Sequence, residues 1–365
     1  MINRQLMYRA GFVVLPIALS LLLTAVLVAA AGTDPLAAFS LVWEGAFRDP
    51  RAVALVVNFW IPLTLAAVGL VVTFTAGLWN IGVEGQIMMG AVFASWAALM
   101  FTLPAPLLVA AEISLAALGG ALWAALVGIL KTRLGVHEIF GGVALNALAS
   151  VLSIYLIAGP WQPPEGGSVR ATPPFQPDAL LPPLSPDFSV SLLALLLVAL
   201  AIAGVTLSLR GTRWGLQLKA TGKNPASAHL LGVPTGRSAM SAFIVCGALA
   251  GVGGAYRVLF TYGNLRPLVS GGIGFLGLLV VLLVAMRPLW VPVVTFAFAA
   301  ILSGSTRLRV ALQLDESLAG VLQGMLVLVM LLTNGVRQRL SARAAAAGRP
   351  LEHPANPITE TAHDA

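Results

Sequence analysis

Charge is what this chain has least of. Only 10% of its 365 residues are Asp, Glu, Lys or Arg, against about a quarter in an ordinary soluble domain. There is one cysteine, Cys246, inside an apolar run, which rules out an intrachain disulfide framework. The four histidines are scattered and show no metal-ligand spacing. A phosphate-binding loop is missing too. "ATGKNP" offers Gly222-Lys223 but lacks the upstream glycine and the hydroxyl residue after the lysine. Nothing pairs a nucleophile with a base or sets two carboxylates in one apolar run, which argues against a membrane enzyme.

What is abundant is apolar. The hydrophobic share is 58% and the mean hydropathy is +0.93. Long uncharged runs recur, such as FVVLPIALSLLLTAVLVAAA from Phe12 and SLLALLLVALAIAGVTLSL from Ser191. About 20 such residues cross the hydrocarbon layer as a helix. Backbone groups in lipid must bond within their own segment, and barrel strands would alternate in polarity. The expected fold is therefore all-α, a polytopic membrane protein with about ten spans: 11–31, 53–76, 86–103, 106–130, 138–158, 190–209, 238–261, 274–287, 289–304 and 317–334, the eighth too short to be sure of crossing. The first run is longer than a typical signal core and is expected to stay as a helix.

Basic residues set the orientation. Arg4 and Arg9, Lys131 and Arg133, the stretch 210–237, and Arg337, Arg339, Arg343 and Arg349 all fall on one side if the spans number ten. That places both termini in the cytoplasm, with Arg307 and Arg309 as the exception. The same reading turns the net charge of +7 into a topology signal, with the bilayer rather than nucleic acid as partner. The loop 159–189 faces outward by parity; its nine prolines favour extended chain, as a plain connector or as a small cap. Residues 1–335 form the expected transmembrane domain, and 336–365 a polar, disordered cytoplasmic tail.

One stretch is out of place in lipid. "GLWNIGVEGQIMMG", 77–90, holds four glycines, Asn80, Glu84 and Gln86 between apolar flanks. Glycine tolerates a helix break, and the freed amides must then meet protein or water. A lipid-facing Glu84 would cost several kcal/mol, roughly 3 on insertion scales. These three residues either hold the break in shape or touch cargo. Ile81-Gly82-x-x-Gly85 is echoed by Ile273-Gly274-x-x-Gly277, and the matching stretches 53–158 and 238–334 would enter the membrane in opposite senses. That suggests an inverted repeat of two four-helix halves, with a binding region where the glycine-broken helices meet. Asn58, Trp60 and Asn146 are further pathway candidates, although interhelical bonding is the commoner role of an intramembrane Asn. Glu112 and Arg257 are the charges buried in spans that could pair.

The basic stretch 210–237 carries Trp214, Leu216 and Leu218 as an apolar stripe, then Gly222 and Asn224-Pro225. Asn caps helices and Pro opens them, so a short helix should run from Pro225 to Gly232. With Leu230 and Leu231 to bury, it suits docking in another protein's groove; the other reading is a segment lying on anionic lipid.

"GLWNIGVEGQIMMGA" resembles a motif of the integral membrane permeases of ATP-binding-cassette importers of the branched-chain amino acid and simple-sugar type. "ATGKNPASAHLLGVPTGRSAMSAFIVCGALAGVGGAY" is similar to that family's cytoplasmic docking region and the helix after it. "GVHEIFGGVALNALAS", "GGIGFLGLLVVLLVA" and "LAGVLQGMLVL" resemble its nucleoside-type subgroup, with His137 where an asparagine is usual. The resemblance covers most of 50–335. It implies a transport subunit of the bacterial cytoplasmic membrane, not an enzyme, importing nucleosides or nucleobases, with a sugar or other small solute as the alternative and an ion-coupled carrier as a more distant one. It implies a partner ATPase that holds ATP and Mg, a second permease subunit, and an external solute-binding lipoprotein. It assigns Asn80, Glu84 and Gln86 to the broken helix, and Gly222, Asn224, Pro225 and Gly232 to docking.

Overall fold

A computed structural model describes residues 32–163, 171–284 and 286–312, and 19, 21–26, 28–30, 324–325, 328–329 and 332 from the terminal stretches. Val28–Val321 form one compact unit, and Met1–Leu27 with Leu322–Ala365 another. The first unit holds the broken helix and the basic stretch.

Its helices are α1 (Pro35–Phe47), α2 (Pro50–Thr75), α3 (Val83–Met100), α4 (Ala105–Leu134), α5 (Glu138–Ala158), α6 (Leu192–Gly211), α7 (Arg213–Lys223), α8 (Pro225–Leu230), α9 (Thr235–Tyr256), α10 (Ile273–Leu283) and α11 (Val291–Leu312). Among the described residues there is no strand. Among the described residues seven helices are long and apolar enough to cross a membrane, or eight if Leu21–Ala30 and Pro35–Phe47 count as one span. Eight of the ten predicted spans have their counterparts in α2 to α6 and α9 to α11. Those at 11–31 and 317–334 are described only in part, about half of the first and less than a third of the second. The short eighth span is α10, 11 residues long. The sequence reading missed α1, whose 13 residues fall short of a hydropathy window.

Buried all round from Ile61 to Phe74, α2 is the axis of the unit, as a helix apolar on every face must be. Asp49 caps it, its carboxylate accepting from Ala52 N at 2.7 Å. That bond is the main cause holding the Asp49 carboxyl below its usual range. At 26 residues α2 is about 39 Å long, enough to span the hydrocarbon core. Against it pack α9, α11, α10 and α6. On its other side α9 packs on α3 and α4, and small residues bring the α4 and α9 backbones together: a Cβ on Gly120 or Gly251 would fall on the main chain of the facing helix.

The described part of the proline-rich loop, from Ala171 on, docks against residues 259–265. Thr172 N donates to Leu265 O (3.0 Å), Phe175 N to Gly263 O (2.9 Å) and Leu181 N to Leu259 O (3.2 Å). Phe175, Ala179 and Leu181 are buried. Extended backbone leaves N–H groups free to pair with another segment, so proline-rich chain can dock where it cannot coil.

Candidate functional site: a broken helix and the elbow against it

Four predicted polar residues meet at the break between α2 and α3. Asn80 and Gln86 exchange two amide hydrogen bonds, Nδ2 to Oε1 at 3.0 Å and Nε2 to Oδ1 at 2.9 Å. Both are fully buried. Asn80 Nδ2 also lies 3.1 Å from Cys246 Sγ. Asn146, on α5, donates to Ile81 O at 2.9 Å and accepts from Gly85 N at 2.8 Å. It thereby satisfies one acceptor and one donor that the broken backbone exposes, as buried polar groups require.

Glu84 does the same for a second helix. Its carboxylate accepts from Gly272 N at 2.8 Å and Gly274 N at 2.7 Å. Those amides open α10, where unpaired N–H groups and the helix dipole favour an anion. A Cβ on Gly274 would stand 2.6 Å from Glu84 Oε2, so the glycine is needed for the approach. The two I-G-x-x-G segments are thus in contact through this carboxylate. The sequence carried that signal as an echo and not as a contact.

The elbow reaches the same break from its other end. Thr212 caps α7 by accepting from Gly215 N at 3.1 Å, and Asn224 caps α8 by accepting from Ser227 N at 3.1 Å. Pro225 is the first residue of α8, and Gly232 follows it with φ +81°. Gly222, on α7, packs against the end of α2. A Cβ there would fall on Thr75 O and stand 2.9 Å from Gly77 N. Gly77 itself has φ +74°, the left-handed region that favours glycine. Beside it, Trp79 N lies 3.5 Å from Glu138 Oε1, and Glu138 Oε2 pairs with Lys131 Nζ at 2.7 Å. The reading from residue types missed the Lys131–Glu138 pair, to which only the position of both residues beside span ends pointed, and the contact of Cys246, which lies mid-helix in α9 and carried no such signal.

The family model for the branched-chain amino acid transport system / permease component matches residues 52–331. The chain belongs to this permease family. A glucose ABC transporter permease protein, TsgB13, of Haloferax volcanii is 27% identical over 88% of this chain and 87% of its own. The guanosine ABC transporter permease protein NupP of Bacillus subtilis is 28% identical over 73% and 77%. The nucleoside ABC transporter permease protein NupB of Lactococcus lactis is 26% identical over 78% and 80%. No solved structure matches. The permease is therefore a transport subunit rather than an enzyme.

Two predicted pathway residues of the permease lie elsewhere. Asn58 donates to Ser189 O (3.0 Å) and accepts from Tyr256 Oη (2.7 Å), while Trp60 Nε1 donates to Pro292 O at 2.8 Å. The supposed Glu112–Arg257 pair does not form. Both Glu112 oxygens are buried without a partner among the described residues, and Arg257 instead meets Val269 O and Tyr262 Oη. Nor do Trp214, Leu216 and Leu218 make one stripe. Leu218 is buried, Leu216 is exposed, and Trp214 Nε1 donates to Ser241 Oγ at 2.9 Å. Residues two apart on a helix point to different sides. The bare apolar pair is Leu230 and Leu231, 87% and 84% exposed.

Proposed function

We propose that this permease imports nucleosides or nucleobases, driven by a separate ATPase that grips the α7–α8 elbow. The observation that carries the reading is the packing of Gly222 on Thr75–Gly77. It sets the elbow against the segment that leads, through Glu84, to the start of α10. Closure of an ATPase pair would push α8; α7 would press on Gly77, and the break would shift against the α10 amides. Asn80, Gln86 and Asn146 keep the moving piece satisfied as it travels, and Asn58 and Trp60 brace the far end. Trp214 bolts α7 to α9, while Leu231, with Leu230, supplies the docking face, held in place by Asn224, Pro225 and Gly232.

The assembly comprises this chain, a second permease subunit, the ATPase with its ATP and Mg, and an external binding lipoprotein, in the bacterial cytoplasmic membrane. Residues 1–335 form the membrane domain, with 159–189 outside and 210–237, both termini and the tail 336–365 inside. The contact between the two I-G-x-x-G segments supports an inverted repeat of 53–158 and 238–334. The glucose name of one relative keeps a sugar as the second reading.

Proteoliposomes holding the purified complex test this. ATP-dependent uptake of labelled guanosine above that of labelled glucose is expected. Glucose uptake alone would favour the second reading, and uptake that survives removal of the ATPase would defeat both.

A further inference from the structure

Arg257 is a guanidinium in an apolar setting. It is 7% exposed, it opens the π-helical turn Arg257–Tyr262 at the end of α9, and no ion pair among the described residues holds it. An ionisable side chain inside the membrane is costly and marks function, as π-turns often do. Arginine carries five N–H donors. Nε donates to Val269 O at 3.2 Å and Nη2 to Tyr262 Oη, so three N–H groups have no acceptor among the described residues. The guanidinium carbon lies 4.6 Å from the Tyr262 ring centroid and 5.8 Å from that of Phe59. A side chain on Gly271 would stand 3.3 Å from Nη2, which leaves that flank open. The neighbouring carboxylate, Glu84, is already engaged by the Gly272 and Gly274 amides.

The local chemistry is thus rich in donors and aromatic faces and short of acceptors. Sugar hydroxyls want both donors and acceptors. A purine edge with a 6-oxo group and N7 offers acceptors alone, spaced to take an arginine fork from two N–H groups. We infer that Arg257 binds the O6/N7 edge of a 6-oxopurine nucleoside as it passes, which rests on the nucleoside reading above.

The test is uptake by the reconstituted complex of guanosine against 7-deazaguanosine, which lacks the N7 acceptor. Wild type is expected to favour guanosine in kcat/KM by about fivefold, since losing N7 removes one of the fork's two acceptors and not the whole fork. In Arg257→Gln and Arg257→Lys that preference should fall toward unity, while the amount of assembled complex stays the same. Comparing variant with wild type cancels any discrimination by the delivering lipoprotein. If Arg257→Gln fails to assemble, Arg257→Lys, which keeps the charge and loses the fork, decides the matter. A preference unchanged in the lysine variant, with both substrates slowed alike, would assign Arg257 a structural role and overturn this inference alone. Wild type that takes up neither nucleoside would overturn the inference and the nucleoside reading together.

Discussion

The break at Asn80–Gln86 and the elbow at Pro225–Leu231 are opposites in solvent and in bonding. At the break Asn80, Gln86, Glu84 and Asn146 are buried, and each is tied by at least two hydrogen bonds. At the elbow two adjacent leucines stand almost wholly exposed, at the end of a six-residue helix. A satisfied buried network is rigid and fails sharply when one member goes. An exposed apolar pair contributes little to its own fold and gains only when something covers it. Gly222 against Thr75–Gly77 joins the two, so an exposed apolar surface sits one contact from a buried, hydrogen-bonded break.

The sharpest way to break that join is Gly222→Val. Its side chain would overlap the Thr75 carbonyl, costing about 1–3 kcal/mol of overpacking. ATP-driven uptake should be lost even where the complex still assembles, as size exclusion and a transport assay together would show. Next comes Glu84→Ala, which strands the Gly272 and Gly274 amides. Charge-assisted bonds are worth about 1.5–3 kcal/mol each, so the purified complex should melt at a clearly lower temperature. Glu84→Gln keeps one acceptor oxygen and should fall between. Asn80→Ala and Gln86→Ala should each cost about 1–3 kcal/mol by orphaning the other amide. The double variant should cost less than the sum, a coupling that a double-mutant cycle measures. At the smallest end, Leu230→Glu with Leu231→Glu should leave thermal stability within about 0.5 kcal/mol and still abolish co-purification of the ATPase.

The same contrast explains how much the sequence disclosed. Hydropathy placed the helices because lipid imposes one rule on every spanning segment, and α1 escaped because it is too short for that rule. Asn80, Glu84, Gln86 and Asn146 stood out because polar side chains are rare among apolar ones. Their partners did not, since Gly272 and Gly274 offer only backbone N–H, which no side-chain pattern announces. Arg257 was visible as a charge but was given the wrong partner, because pairing across helices depends on rotation about each axis. Leu216 and Leu218 went wrong for a related reason, a two-residue spacing read as one face of a helix. The docking of Thr172–Leu181 was undecided for want of any pattern telling a docked extended chain from a loose one.

For the elbow to drive transport, motion must pass from it to the break. Trp79, 45% exposed, lies between them, and Cys246, the chain's one native cysteine, is buried. In a Trp79→Cys variant of the assembled transporter, a maleimide can therefore label this chain at that position alone, read on the separated subunit. The labelling rate should change when ATP and vanadate trap the ATPase closed, and that change should vanish in the Leu230→Glu, Leu231→Glu background. Equal rates with and without trapped nucleotide, in a complex that transports, would contradict a drive from the elbow.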